Sequence, residues 1–436
     1  MGVPHSHESQ PPASPRVRRL AVIVLVPIAV LTLIGLMLLW PDGRPANVHG
    51  EGPTRVFGQV VDVRAVDCPQ LPEEAEPPID DPTGRCGTVT VKLTDGPDAG
   101  EQIVTDLPFG PGAVTVDKGD RVVLLHLPDA LSGQPYSIVD HQRAAPLWLL
   151  GAAFAVAVIA FGRWRGLRAL VGLSVTFVVL LLFIVPAILD GRSPLLVAIV
   201  GSSAIMLTVL YLTHGFRLTT TIAVVGTLVS LTITAALSAL ATTGTRLSGI
   251  ADETSTYLSL THGEVNMRGL LLAGIVIGSL GVLDDVTITQ STTVTELARA
   301  NTGYGFRQLY GAATRVGRAH IASVINTIVL AYAGASLPLM LLFAAGNDPI
   351  GAVLTSELIA QELVRSVVGT VGLIAAVPIT TALAAAVIAG RSAVDAPATA
   401  QDGGPPPPQR APVQPAGRPP ADPWMAFVER GEPDKG

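Results

Sequence analysis

Charge is what this chain lacks most. Only 14% of its 436 residues are Asp, Glu, Lys or Arg, while 49% are apolar, and the mean hydropathy is +0.50. A soluble domain carries nearly twice that charge, about 25%, so the composition belongs to the membrane class. There is no basic excess either: 28 Lys and Arg against 34 Asp and Glu leave a net charge of -6, and nothing resembles the basic stripe of a nucleic-acid binder. No nucleic acid is expected as a partner. Catalytic signatures are also missing. The sequence holds no Walker-type phosphate loop, no nucleophile elbow and no His-Glu-x-x-His helix. The expectation is a protein that is not an enzyme, with no catalytic residue, no cofactor and no bound metal. Cysteine occurs twice, as Cys68 and Cys86.

Long apolar runs are what the chain has instead. The first, Leu20 to Trp40, follows Arg16, Arg18 and Arg19. It exceeds the 7 to 15 residues of a signal-peptide core and no small-x-small cleavage site follows, which favours an uncleaved anchor over a signal peptide. Further runs lie near 146–161, 167–189, 194–213, 218–241, 269–288, 321–343 and 364–389, each near the roughly 20 residues needed to cross a bilayer. Arg163, Arg165, Arg168, Arg217, Arg299, Arg307, Arg315, Arg318 and Arg391 then fall on the side of the N-terminus. By the positive-inside rule both termini are cytoplasmic. The expected fold class is an α-helical polytopic membrane protein of about eight transmembrane helices, lodged in the plasma membrane. Its lipid bilayer is the one partner composition demands.

Between the first two spans lies a stretch long enough for a small domain. Alternation in Arg55 to Val66, Gly87 to Thr94, Glu101 to Leu107, Asp120 to Leu127 and Tyr136 to Val139 predicts five short strands. Asp95-Gly96-Pro97 and Lys118-Gly119-Asp120 break them. This strand count fits a small extracytoplasmic β-barrel of OB-like type. Cys68 and Cys86 flank a Pro-rich acidic insert between the first two strands. Their confinement to the exterior suggests a disulfide closing that loop, the alternative being two inert thiols. The organisation is thus a disordered cytoplasmic N-terminus (1–19), an anchor (20–40), the β domain (41–145), the helical bundle (146–391) and a disordered Pro-rich cytoplasmic tail (392–436). Within that tail Asp422 and Pro423 precede Trp424, Phe427 and Val428, which share a helical face. Both a short docking helix and scattered apolar residues fit them.

The sixth span holds the chemistry. Gly278-Ser279-Leu280-Gly281-Val282-Leu283-Asp284-Asp285-Val286-Thr287 places two adjacent carboxylates in an otherwise apolar run. A carboxylate at the bilayer centre costs roughly 2.5 to 3.5 kcal/mol, so it persists only if paired, protonated or facing a wet cavity. The alternative is a helix-end signal at headgroup level. Gly274, Gly278 and Gly281 form a small-residue face suited to close helix packing. Asp284, three residues beyond Gly281, is expected to point into the bundle, with Asp285 about 100° round the axis. At about 1.5 Å per residue, Asp284 lies roughly 24 Å inward from Arg268, in the cytoplasmic third of a 30 Å core. In the seventh span His320, Ser323, Asn326 and Thr327 reach the same depth, so the two polar faces are expected to meet. Asn326 can donate to a carboxylate and His320 can exchange protons near neutral pH. Asp284, Asp285, Thr287, His320 and Asn326 are therefore the relay candidates. In the fifth span Thr227, Ser230, Thr234 and Ser238 make a hydroxyl stripe that either lines a wet path or satisfies itself on carbonyls one turn back. Asp252, Glu253, His262 and Glu264 read as a solvated loop more than as a cation site.

The order of anchor, exterior β domain and bundle resembles the YibE/F-like family of bacterial membrane proteins. Tyr136-Ser137-Ile138-Val139-Asp140-His141-Gln142-Arg143 and Gly281-Val282-Leu283-Asp284-Asp285-Val286-Thr287 carry that resemblance, which runs from about Arg55 to Arg391. It implies a plasma-membrane protein without an established activity, sometimes described as a transporter. A weaker likeness joins Asp284 and Asp285, Glu296 to Gly303 and Gly311 to Ala319 to the SecD/SecF and RND transporters, which use an intramembrane aspartate for proton coupling. This chain departs from them in its much smaller exterior domain and its eight spans. Three functions are carried forward: coupled transport of an unidentified solute or ion, a membrane assembly or sensing role in which the β domain binds a membrane-protein partner, and, distantly, intramembrane hydrolysis. Adjacent aspartates on one helix diverge, which disfavours the last. Oligomeric state is left open.

Overall fold

A computed structural model describes residues 15–43, 54–67, 85–109, 112–127, 134–346 and 349–394. Helix α1 (Pro15–Leu38) leads to five strands, β1 (Thr54–Asp67), β2 (Arg85–Leu93), β3 (Gln102–Asp106), β4 (Arg121–His126) and β5 (Tyr136–His141). There follow α2 (Ala144–Val179), a π-turn over Leu180–Ile184, α3 (Val185–Leu189), α4 (Pro194–His214), α5 (Leu218–Gly244) and α6 (Glu253–Thr261). The remainder is α7 (Met267–Ala300), α8 (Phe306–Ala335), α9 (Leu337–Ala345), α10 (Ile350–Thr355) and α11 (Glu357–Val394). The expected strands coincide with the observed ones to within two residues at each end. Cys86 on β2 takes part in a disulfide. Cys68, the loop beyond it and Asp422 to Val428 lie outside the described residues.

The sheet is antiparallel, in the order β3-β2-β1-β4-β5. Alternate residues enter its core: Val56 and Val60, Val89 and Val91, Val122 and Leu124, Tyr136 and Ile138. A bulge between Val60 and Asp62 in β1 bends the sheet. Its two edges then approach each other. Thr105 Oγ1 on β3 donates to the Tyr136 carbonyl on β5 (2.6 Å), and the Gln134 side chain accepts from the Asp106 amide (3.0 Å). Where β5 ends, Asp140 accepts from the His141 amide and from Arg143, the latter at 2.6 Å. Both contacts hold its carboxyl below the usual range. Gln142 N donates to Arg121 O (2.8 Å), which sets the exit into α2.

Among the described residues six helices are long and apolar enough to cross a membrane: residues 144–189, 194–214, 218–244, 267–300, 306–335 and 357–390. The first of these is broken. Arg163 has φ 51° and ψ -130°, outside helical space, and a methyl group at Gly166 would collide with the Val158 carbonyl. The chain therefore doubles back there as a tight hairpin. The π-turn precedes Pro186, whose ring cannot donate to the ladder. Apolar side chains cover the outside of the helices, as Leu147, Trp148 and Phe161 do at 61%, 80% and 97% exposure. Such a surface is stable only against lipid or another protein.

Helix α5 lies between α7 and α11 and runs antiparallel to both. Thr227 meets Thr287 and Thr219 meets Ser291 on one side, while Gly226 meets Thr380 and Gly372 meets Thr234 on the other. The segment expected as a solvated loop contains α6, capped by Asp252, whose carboxylate accepts from Ser255 N (2.7 Å). At the same end of the bundle Glu357 accepts from the Ser248 and Gly249 amides, and Arg192 pairs with Asp42 at 2.6 Å.

Burial, and then the hydrogen bond donated to Asp98, push the Tyr136 phenol from 10.0 up to about 12. The folded domain thus holds this proton more tightly than the unfolded chain. That stabilisation is complete below pH 10 and lost as pH rises through 12. Phenolate absorbance is expected to show a tyrosine ionising near pH 12, and this late step should vanish in Tyr136→Phe. Its persistence there would remove the assignment.

Candidate functional site

Helix α7 starts cleanly because the Asn266 side chain accepts from the Gly269 amide (2.8 Å), satisfying one of the free donors of its first turn. It then runs 34 residues, about 51 Å at 1.5 Å per residue. Asp284 sits midway and is half-buried, with its Oδ1 enclosed and accepting no hydrogen bond from the described residues. Asp285 is exposed on the flank and forms no ion pair among the described residues. Its charge reaches His214 at the end of α4.

One turn beyond Asp284, Thr287 is fully buried. Its Oγ1 lies 2.6 Å from Thr227 Oγ1 on α5 and 3.1 Å from the Asp284 carbonyl. Thr227 Oγ1 in turn lies 2.9 Å from the Ala223 carbonyl. Two hydroxyl protons serve these three contacts, so two arrangements satisfy the pair. Either Thr287 donates to Thr227 and Thr227 to Ala223, or Thr227 donates to Thr287 and Thr287 to the Asp284 backbone.

The stripe on α5 is longer than the sequence suggested. Thr220, Thr227, Ser230, Thr234, Ser238 and Thr242 are all fully buried. Thr234, Ser238 and Thr242 donate to carbonyls one turn back, as Thr227 does in the first of its two arrangements, so most of the stripe satisfies itself. Thr220 and Ser230 have no hydrogen-bond partner among the described residues, and the same holds for Ser202 on α4 and Thr380 on α11. The Thr227–Thr287 contact sets the register of two antiparallel helices. One turn along, Ser230 and Asp284 stand at the same depth. A dry bundle leaves such oxygens at a cost of about 1–3 kcal/mol each, unless a cation, a proton or water visits them.

Two expectations fail here. His320, Ser323, Asn326 and Thr327 do not meet Asp284: all are exposed. Helix α8 packs through Leu309, Ala313, Gly317 and Ile321, which turns the face bearing Asn326 and His320 outward. Its inward contact to α7 is made by Gln290, whose Nε2 donates to Ala313 O (2.8 Å). Gly274, Gly278 and Gly281 are also exposed. Among the described residues nothing approaches within 4 Å of a methyl placed at Gly274 or Gly281, and only Tyr332 Oη at 3.8 Å approaches one at Gly278. The close helix contacts lie elsewhere, at Gly226 and Gly372, since α5 packs against the α7 face carrying Thr287 and Ser291. Gln290, Ser202 and Thr380 escaped sequence reasoning. Gln290 alone carried a signal, as a long amide three residues beyond Thr287 on the same face. No group of three or more His, Cys, Asp or Glu poised to hold a metal occurs among the described residues.

Long apolar helices, a half-buried carboxylate and a hydroxyl-lined interior define a polytopic helical membrane protein. A family model described as YibE/F-like protein matches residues 150–390, more than half of the chain, which therefore belongs to the YibE/F-like family. No curated protein and no solved structure matches it.

The hydroxyl pair is testable. Thr227→Val and Thr287→Val are each expected to lower bundle stability by about 1 kcal/mol, with coupling of roughly 0.6 to 1.7 kcal/mol in the double variant. Unfolding in mixed micelles would measure this, and strictly additive losses would mean the two hydroxyls do not share a hydrogen bond.

Proposed function

We propose that the protein is a proton- or ion-coupled transporter of the plasma membrane in which Asp284 takes up and releases the coupled cation. The observation carrying this reading is the enclosed, unpartnered Oδ1 of Asp284 in a membrane-crossing helix. A carboxylate in that position cycles between a protonated or cation-bound form and a free one only when something delivers and removes the cation. The toggling Thr227–Thr287 pair one turn away offers a hydroxyl that reorients with that cycle.

The topology proposed with it has eight spans. The break at Arg163 gives two crossings within residues 144–189, and α1 with its apolar stretch from Val22 to Leu38 supplies another. Arg163, Arg165, Arg168, Arg217, Arg299, Arg307, Arg315, Arg318 and Arg391 then lie toward the cytoplasmic end with both termini, and the β domain lies outside. The sheet order, with β3 and β5 as the approaching edges, supports an OB-like barrel. A second reading, assembly or sensing through this domain, draws on a cleft of about 590 Å³ between those edges, lined by Phe109, Leu127, Gln134 and Val139.

Purified protein in liposomes is expected to dissipate a pH gradient when the right solute is supplied, and Asp284→Asn should fall to the level of empty liposomes while remaining inserted. Undiminished transport in that variant would defeat the mechanism. Deleting the loop from Pro69 to Arg85 should be tolerated; a null phenotype there with a mild Asp284→Asn effect would favour the second reading.

For topology, an impermeant thiol reagent applied to intact cells after reduction should label Cys68 and Cys86. Labelling confined to permeabilised cells would invert the arrangement.

A further inference from the structure

A single copy leaves one flank of α7 and α8 unsuited to lipid. On α7 the exposed line runs through Gly274, Gly278 and Gly281 to Asp285. These glycines weaken the helix relative to alanine, and among the described residues only Tyr332 Oη, 3.8 Å from a methyl placed at Gly278, comes near the space they open. Asp285 adds a carboxylate without an ion pair. On α8 the face opposite the packed one exposes Arg318 and Asn326, and Arg318 makes no ion pair among the described residues. Polar groups in spans normally face the bundle interior or a partner rather than acyl chains.

The register between the two helices shows what these groups match. Gln290 bonds to Ala313 O and packs on Gly317, and the helices are antiparallel. Five residues back along α7 and five onward along α8 bring Asp285 level with Arg318. Continuing in the same directions brings Gly278 level with Asn326. Each helix therefore carries, at equal depth, the complement of the other: an acid against a cation, and a bare glycine backbone against an amide.

We propose that this flank binds a second copy of the chain, in a twofold dimer in which Asp285 of each protomer pairs with Arg318 of its partner and Asn326 packs on its partner's Gly278. A twofold axis along the membrane normal preserves depth, so levels matched within one chain are matched between two. The carboxylate beside Asp284 is then neutralised in trans, and the glycines admit the partner helix at close range.

The test uses the full chain in native membranes, co-expressed with two different tags. Gly278→Cys on one copy and Asn326→Cys on the other should yield an oxidative cross-link carrying both tags. Asp285→Arg or Arg318→Asp, introduced on both copies, should each abolish that product, and the exchanged pair on the same chain should restore it. If a charge variant fails to insert, Gly281→Leu supplies the same test without altering charge, and it too should lose the cross-link. No cross-link in the starting pair, full yield in the charge or leucine variants, or no recovery in the exchanged pair would each overturn the dimer.

Discussion

Everything in the bundle follows from the scarcity of water between α5, α7 and α11. A hydroxyl buried there must find its acceptor in the protein, and threonine or serine in a helix has one within reach, the carbonyl a turn behind. Thr227, Thr234, Ser238 and Thr242 take it. Having satisfied themselves, they are compact enough for neighbouring helices to come close, and Gly226 and Gly372 remove the last side-chain atoms in the way of Thr380 and Thr234. A methyl group at either glycine would collide with these threonine side chains and force α11 away from α5.

The β domain was the more readable half. Its strands expose one face and bury the other, so alternation marked them, and Asp95-Gly96-Pro97 and Lys118-Gly119-Asp120 fixed their ends. The bundle gave up its existence but less of its internal geometry. In a span apolar residues face both lipid and protein, so hydropathy carries no orientation, and glycine reads as a packing residue wherever it falls. That is why Gly274, Gly278 and Gly281 pointed sequence reasoning to the wrong contact while Gly226 and Gly372, set among threonines and valines, passed unmarked. Matching depth likewise brought Asn326 and His320 toward Asp284, but depth is one coordinate of two, and the rotation of α8 is set by Leu309, Ala313, Gly317 and Ile321. Asp284 itself was legible because a carboxylate in an apolar run is rare enough to stand out without structural help.

Membership rests on residues 150–390 and so says nothing directly of the β domain, whose order and closure come from its own register. The Asp284 carboxylate, conversely, lies inside the matched region, with its Oδ1 enclosed and unpartnered among the described residues.

The turn at Arg163 fixes how the two legs of the segment 144–189 can move. The leg from Ala144 to Gly162 spans 19 residues, roughly 28 Å, close to the thickness of a hydrocarbon core. Its tip gathers Arg163, Arg165 and Arg168 within six positions. Neither leg can slide deeper without dragging guanidinium groups into hydrocarbon, and neither can tilt alone while Gly166 rests on the backbone of Val158. In a thicker or thinner membrane this hairpin would have to tip as one piece, making it a rigid gauge of bilayer thickness against which the longer α7 is free to slant.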